Sequence, residues 1–157
     1  MSVIAPGTPT PDFTLKRANF TDFTREDLLG QTTVLVFYPF AFSPVCTDQM
    51  QVYEEALDDL TAQGVTVYGV STDPVWSQKA FKEKLGITIE QLSDFEPKGA
   101  TAKKFGVYVE AGGMTNRALV IIGPDAIVRW SHLAESPGDL PGVGLIFDGL
   151  AAASVPQ

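Results

Sequence analysis

Hydrophobic positions in this chain alternate between two kinds of run. Thr32-Thr-Val-Leu-Val-Phe-Tyr38 and Val65-Thr-Val-Tyr-Gly-Val70 are apolar almost throughout, as in central strands covered on both faces. Between them Met50, Tyr53, Leu57 and Leu60 recur at spacings of three and four, one apolar face of a helix. Ser43 is a good N-cap for that helix, Pro44 suits its first position, and Gly64 is its stop. Asp73-Pro74 repeats the cap-plus-proline start and predicts a second helix to about Leu85, closed by Gly86.

Residues 1–31 are rich in turns, with Phe13–Leu15 and Asp22–Thr24 as short strands that pair with one another. Pro97 to Phe105 reads as a short third helix. Ala118–Ile122 and Ala126–Trp130 flank Gly123-Pro-Asp125 and read as a hairpin. Leu140, Val143, Phe147 and Leu150 carry a helical spacing to about Ala153, with glycines at 138, 142, 144 and 149 blurring its start. Strand, helix, strand, helix, hairpin, helix implies an α/β sandwich with a mixed sheet, folded as one domain over residues 1–157.

The net charge of −8 argues against nucleic acid and anionic membrane as partners. No apolar run has the length of a membrane span, and Met1 to Pro9 lacks the basic and apolar regions of a secretory signal. A single cysteine among 157 residues fits a reducing cytoplasm.

That cysteine, Cys46, falls at the third position of the first helix. A thiol there meets unpaired backbone N–H groups and the positive end of the helix dipole, which favour the reactive thiolate. Taken alone, a lone cysteine is more often a small core hydrophobe. With no second cysteine, an internal disulfide and dithiol chemistry are excluded. A Cys-His hydrolase requires His132, the only histidine, to fold back to Cys46, and His132 reads better as a residue leaving a strand. One Cys and one His do not fill a transition-metal site. Gly112-Gly113 is a turn without phosphate-binding spacing, so no cofactor is expected. The chemistry that remains is a thiolate, stabilised by the helix end and a fixed cation, attacking an electrophile that needs no general base.

The stretch Pro39-Phe-Ala-Phe-Ser43-Pro-Val-Cys46, with Asn116-Arg117-Ala-Leu-Val-Ile-Ile on the first strand of the late hairpin, resembles the peroxiredoxin family, whose site is Pro-x-x-x-Thr/Ser-x-x-Cys plus a remote arginine. Val70-Ser-Thr-Asp73-Pro, Leu92-Ser-Asp94-Phe and Ala102-Lys-Lys-Phe-Gly-Val107 extend the likeness over roughly residues 5–150. Leu92-Ser-Asp-Phe followed by Pro97-Lys-Gly-Ala and Gly113-Met-Thr-Asn-Arg117 most resembles the single-cysteine type E alkyl hydroperoxide reductases. The resemblance implies a thioredoxin-like fold, a central mixed sheet flanked by helices, with an N-terminal β extension. It implies that Cys46 attacks the terminal oxygen of a hydroperoxide and becomes a sulfenic acid. Arg117 would hold thiolate and peroxide and stabilise the shifting charge. The Ser43 hydroxyl would contact peroxide oxygens, and Pro39 would cover the thiolate. Read without the family, Ser43 is only an N-cap, Pro39 a strand terminator and Arg117 a solvated strand residue.

Two departures from the family pattern are informative. Gln49 stands where the family commonly has a glutamate that orients the arginine, which implies a less rigid Arg117 or another acceptor. No second thiol exists to condense with a sulfenic acid, so turnover requires an external thiol: a low-molecular-weight thiol or a thioredoxin- or glutaredoxin-like protein. A redox sensor or chaperone-like interaction protein shares the first step and differs only in poor turnover. Phe40 and Phe42 on the cysteine loop are either packed or at an interface, and the family likeness implies homodimers touching near this loop. Glu54-Glu55 and Asp58-Asp59 read as a solvated helix face, and Arg129 as solvent-facing.

Overall fold

A computed structural model describes residues 3–136 and 142–153. Its centre is a seven-stranded mixed sheet. β3 (Thr32–Phe37) lies parallel to β4 (Val65–Ser71) on one side and antiparallel to β8 (Ala118–Ile122) on the other. β5 (Glu90–Ser93) extends the parallel side, and β9 (Val128–Leu133) pairs antiparallel with β8. The N-terminal hairpin of β1 (Thr14–Lys16) and β2 (Asp22–Thr24) joins through a Lys16–Ser93 pairing, so the full order is β2-β1-β5-β4-β3-β8-β9.

The apolar runs are explained by two cores, one on each face of the sheet. Successive strand residues point to opposite sides. Val34, Val36, Leu119 and Ile121 face a layer that includes Met50, Tyr53, Phe81 and Ile146, while Leu35, Phe37, Val120 and Ile122 face Phe13, Phe23 and Phe105. A parallel strand buried on both sides has no position where a polar side chain reaches water. No helix among the described residues is long and apolar enough to cross a membrane.

Several elements differ from the sequence reading. The first helix is two: α1 (Pro44–Glu55) and α2 (Leu57–Ala62), meeting at Ala56, where φ is −92° and ψ is 0°. Its apolar face is retained, with Met50, Tyr53 and Leu60 fully buried and Leu57 partly so. Gly64 ends it at φ +76°, a conformation cheap only for glycine. α3 (Val75–Leu85) is closed by Gly86 in the left-handed region, but its N-cap is Pro74 with no side-chain cap bond; Asp73 is turned elsewhere. β5 had no apolar alternation to announce it, since Glu90-Gln-Leu-Ser93 becomes a strand only by pairing with β4.

The third helix, α4, is shorter than expected, Ala100–Lys104, with the buried Asp94 carboxylate accepting from the N–H groups of Thr101 (3.1 Å) and Ala102 (2.8 Å). Tyr108–Val109 (β6) and Met114–Thr115 (β7) form a separate small hairpin around Gly112-Gly113. β9 starts two residues late and runs to Leu133, because the turn extends through Ala126 at φ +62°. The last helix, α5, is Val143–Ala153; Leu140 lies outside the described residues. Glu54 is not simply solvated. Its Oε1 accepts from the N–H groups of Thr88 (2.7 Å) and Ile89 (3.0 Å), whereas Glu55, Asp58 and Asp59 are exposed.

Candidate active site

The pairing of β3 with β8 builds the site. Phe37 lies opposite Ala118, so Arg117, just before β8, comes level with the end of β3, where the chain turns into α1. The segment before β8 is pinned by its own polar side chains. Thr115 Oγ1 donates to the Tyr38 carbonyl at 2.5 Å, and Asn116 Oδ1 accepts from the Arg117 N–H at 2.8 Å. Asn116 Nδ2 donates to the Ala134 carbonyl at 3.1 Å, and the Ala134 N–H returns to the Arg117 carbonyl at 2.9 Å.

On α1, Ser43 is the N-cap and its hydroxyl accepts from the Cys46 N–H at 3.4 Å, a long bond. Cys46 is fully buried and Arg117 is 2% exposed. Burying a guanidinium is costly unless its donors find acceptors. Here Nη2 donates to Cys46 Sγ at 3.1 Å and Nη1 to Gln49 Oε1 at 2.7 Å. Cys46 and Gln49 are three residues apart on one helix face, so the planar fork meets both. Gln49 thus takes the acceptor position by its amide oxygen, without a charge. Its Nε2 in turn donates to the buried Tyr53 hydroxyl at 3.1 Å. Burial pushes the Tyr53 phenol up to about 12, against the opposing pull of the Gln49 hydrogen bond and the Arg117 charge, so it stays neutral.

Pro39 is buried at the start of the loop between β3 and α1, and Ser43 is partly buried at its end. The Asp73 carboxylate anchors that loop at Ala41. Asp73 Oδ2 accepts from the Ala41 N–H and from the Ser71 hydroxyl, both at 2.8 Å, and Ser71 Oγ accepts from Gln78 Nε2 at 2.9 Å. Phe42 has φ +71°, unusual for an aromatic residue, and its ring packs edge-on against Phe81. Even so, Phe40 and Phe42 are 41% and 48% exposed. The Tyr38 phenol, raised by burial, donates to Gln91 Oε1 at 2.7 Å.

The structure therefore brings Cys46, Arg117 and Gln49 into direct contact, with Ser43 on the cysteine's own amide and Pro39 in the adjoining loop. His132 stacks on Trp130 within β9, and Arg129 pairs with exposed Asp125 at 2.5 Å. Two residues of the site were misread from the sequence. Tyr53 looked like one more apolar helix position, and Asp73 like a helix cap. The only local clue to Tyr53 was its four-residue spacing from Gln49.

A nucleophile at a helix start with a guanidinium on its sulfur is equipped to attack an electrophile whose leaving group gains negative charge. Comparison with known proteins agrees. A model of the AhpC/TSA family matches residues 6–131. Alkyl hydroperoxide reductase E of Mycobacterium tuberculosis (strain ATCC 25618 / H37Rv) is 31% identical over 147 residues, 93% of this chain and 95% of that protein. The crystal structure of Enterococcus faecalis AhpC superposes with a TM-score of 0.87 at 29% identity, covering 98% of this chain and 93% of that one. Peroxidoxin BcpB from Mycobacterium tuberculosis superposes at 0.80 with 26% identity, covering 98% and 99%. With the family match spanning most of the chain and the thiol–guanidinium pair at its centre, this protein belongs to the AhpC/TSA family, the peroxiredoxins.

Proposed function

We propose that this protein is a thiol-dependent peroxidase that reduces hydrogen peroxide and organic hydroperoxides through Cys46. The observation that carries this reading is the 3.1 Å contact between Arg117 Nη2 and Cys46 Sγ, at the N-terminus of α1. The thiolate attacks the terminal oxygen of R–O–OH. An S–O bond forms as the O–O bond breaks, the sulfur loses two electrons, and RO⁻ leaves and takes a proton from solvent. Arg117 stabilises the charge passing from sulfur to the departing oxygen. Ser43 offers a hydroxyl at the same helix end, and Pro39 shields the sulfur from water.

Return of the sulfenic acid requires two equivalents of an external thiol, because the chain holds no other cysteine. The first displaces water and leaves a mixed disulfide; the second releases the Cys46 thiol and a disulfide product. A low-molecular-weight thiol or a thioredoxin- or glutaredoxin-like protein fits this role in a reducing cytoplasm. The working form is a homodimer. Supporting it are exposed aromatics: Phe40 and Phe42 on the cysteine loop, and Trp76 (67% exposed), Phe95 (48%) and Phe20 (51%), which line a groove of about 220 Å³ with Pro74 and Val75.

Intact mass after one equivalent of peroxide, with and without a dimedone trap, tests the first step on wild type and Cys46→Ser. The expected result is one oxygen gained, and one dimedone adduct, in wild type alone. An unmodified wild type, or equal oxidation of the Ser variant, refutes it. Repeating the measurement with candidate thiols identifies the reductant.

A further inference from the structure

We infer that Tyr53 is a positioning residue for peroxide reduction, acting through Gln49 on the Arg117 guanidinium; the inference rests on the peroxidase reading above. The argument starts from donor and acceptor inventories. A guanidinium has five donors and no acceptor, so whatever faces Arg117 Nη1 must present an oxygen. Gln49 does so with Oε1 at 2.7 Å. An amide turned over would place Nε2 there, donor against donor. The guanidinium selects the amide orientation, and the Tyr53 hydroxyl tethers the other end of the amide, accepting from Nε2 at 3.1 Å. Cys46, Gln49 and Tyr53 follow at spacings of three and four on α1, so one helix face carries the sulfur, the orienting amide and the group that fixes the amide.

All three side chains are fully buried, and Tyr53 packs in the apolar layer with Met50, Val34 and Phe81. A phenylalanine has the shape for that place. A buried hydroxyl adds cost unless it is bonded, and the Gln49 amide is one partner that offsets that cost. The pair is also uncharged. Burial keeps the phenol protonated well above neutral pH. Gln49 and Tyr53 therefore orient the guanidinium without adding a negative charge beside the sulfur, which leaves the attraction of Arg117 available to thiolate and peroxide.

Without the Tyr53 hydroxyl the amide loses its tether, its oxygen is held less firmly on Nη1, and the aim of the guanidinium is loosened. Attack on a peroxide requires both a reactive sulfur and a correctly aimed guanidinium, whereas alkylation by iodoacetamide requires chiefly the sulfur. The test compares stopped-flow rates of Cys46 oxidation by hydrogen peroxide with rates of iodoacetamide alkylation in wild type, Tyr53→Phe, Gln49→Leu and the double variant, alongside melting temperatures. Tyr53→Phe is expected to slow oxidation roughly 3- to 10-fold, the size of one neutral hydrogen bond, with alkylation changed less than about 2-fold. Gln49→Leu is expected to slow oxidation at least as much, and adding Tyr53→Phe to it to add less than the single Tyr53→Phe loss, because the hydrogen bond argued here runs from the phenol through the amide.

A general packing defect would lower the melting temperature and both rates together. Oxidation unchanged in Tyr53→Phe, both rates falling in parallel, or losses that multiply in the double variant each overturn the inference while leaving the peroxidase reading intact. A wild type inert to peroxide overturns that reading itself, and this inference with it.

Discussion

The loop that delivers Cys46 to Arg117 is anchored at Ala41 by Asp73, and cutting that anchor has a calculable effect. Asp73 Oδ2 receives the Ala41 N–H and the Ser71 hydroxyl, both at 2.8 Å. Hydrogen bonds to a charged group contribute about 1.5–3 kcal/mol each when well buried. Asp73 is only partly buried, and the Ala41 amide gains water once the carboxylate is gone, so Asp73→Ala should cost about 2 kcal/mol. For a domain of this size that is a fall of about 4–8 °C in melting temperature.

The kinetic effect is separable. Phe42 at φ +71° is held in a conformation costing on the order of 1 kcal/mol, and the Ala41 anchor beside it resists relaxation of the turn. Freed, the loop shifts Ser43 and the first turn of α1, and misplacement of a reacting group by about 1 Å costs up to roughly 100-fold in rate. A 10- to 100-fold slower oxidation of Cys46 by peroxide is expected for Asp73→Ala, with faster hydrogen exchange at the Ala41 amide. Asp73→Asn keeps an oxygen able to accept from both donors and should recover most of the rate and about half of the stability. The reasoning fails if Asp73→Ala melts within 1 °C of wild type with unchanged Ala41 exchange, or if Asn and Ala are equally slow.

Two further outcomes are expected. Arg117→Lys keeps a charge but replaces a planar fork by one point donor, which cannot meet Cys46 Sγ and Gln49 Oε1 together; oxidation by peroxide should slow about 100-fold or more, and a rate within 5-fold of wild type in stopped-flow measurement would contradict the role of the fork. Asp94 is raised above the ordinary carboxyl value, chiefly by burial and against the pull of the Ala102 and Thr101 amides, so the folded state holds its proton more tightly than the unfolded chain does. Its contribution to stability is then fully present below about pH 4 and is lost as pH rises through the raised value, the reverse of a salt-bridged carboxylate. Wild type should therefore compare better with Asp94→Asn at pH 4 than at pH 7 in chemical unfolding; a difference that grows with pH would show the opposite sign.

The motif was legible because its parts are local. Ser43, Pro44 and the three-and-four spacing announce a helix start, and the place of Cys46 within it follows from counting. The apolar runs announce β3 and β4 for the same reason: burial on both faces leaves a mark on every residue of the strand. β5 carried no such mark, because Glu90 and Gln91 become strand residues only beside Tyr68 and Gly69. Asp73 preceded a proline at a helix start, which is what a cap looks like. Its carboxylate instead turned across to a loop 32 residues earlier, a choice made by the parallel packing of β3 on β4.

From the sequence alone came the nucleophile, the helix that presents it, the absence of a second thiol and the family of the chain. Those are properties of neighbouring residues or of composition, and they survive without knowing which strands pair. The contact between Arg117 and a sulfur 71 residues away, the acceptance of that arginine by an uncharged amide, and the part of Tyr53 were decided by the fold. Hydrogen bonds between distant residues depend on sheet register, and register is set by the whole core rather than by any one segment.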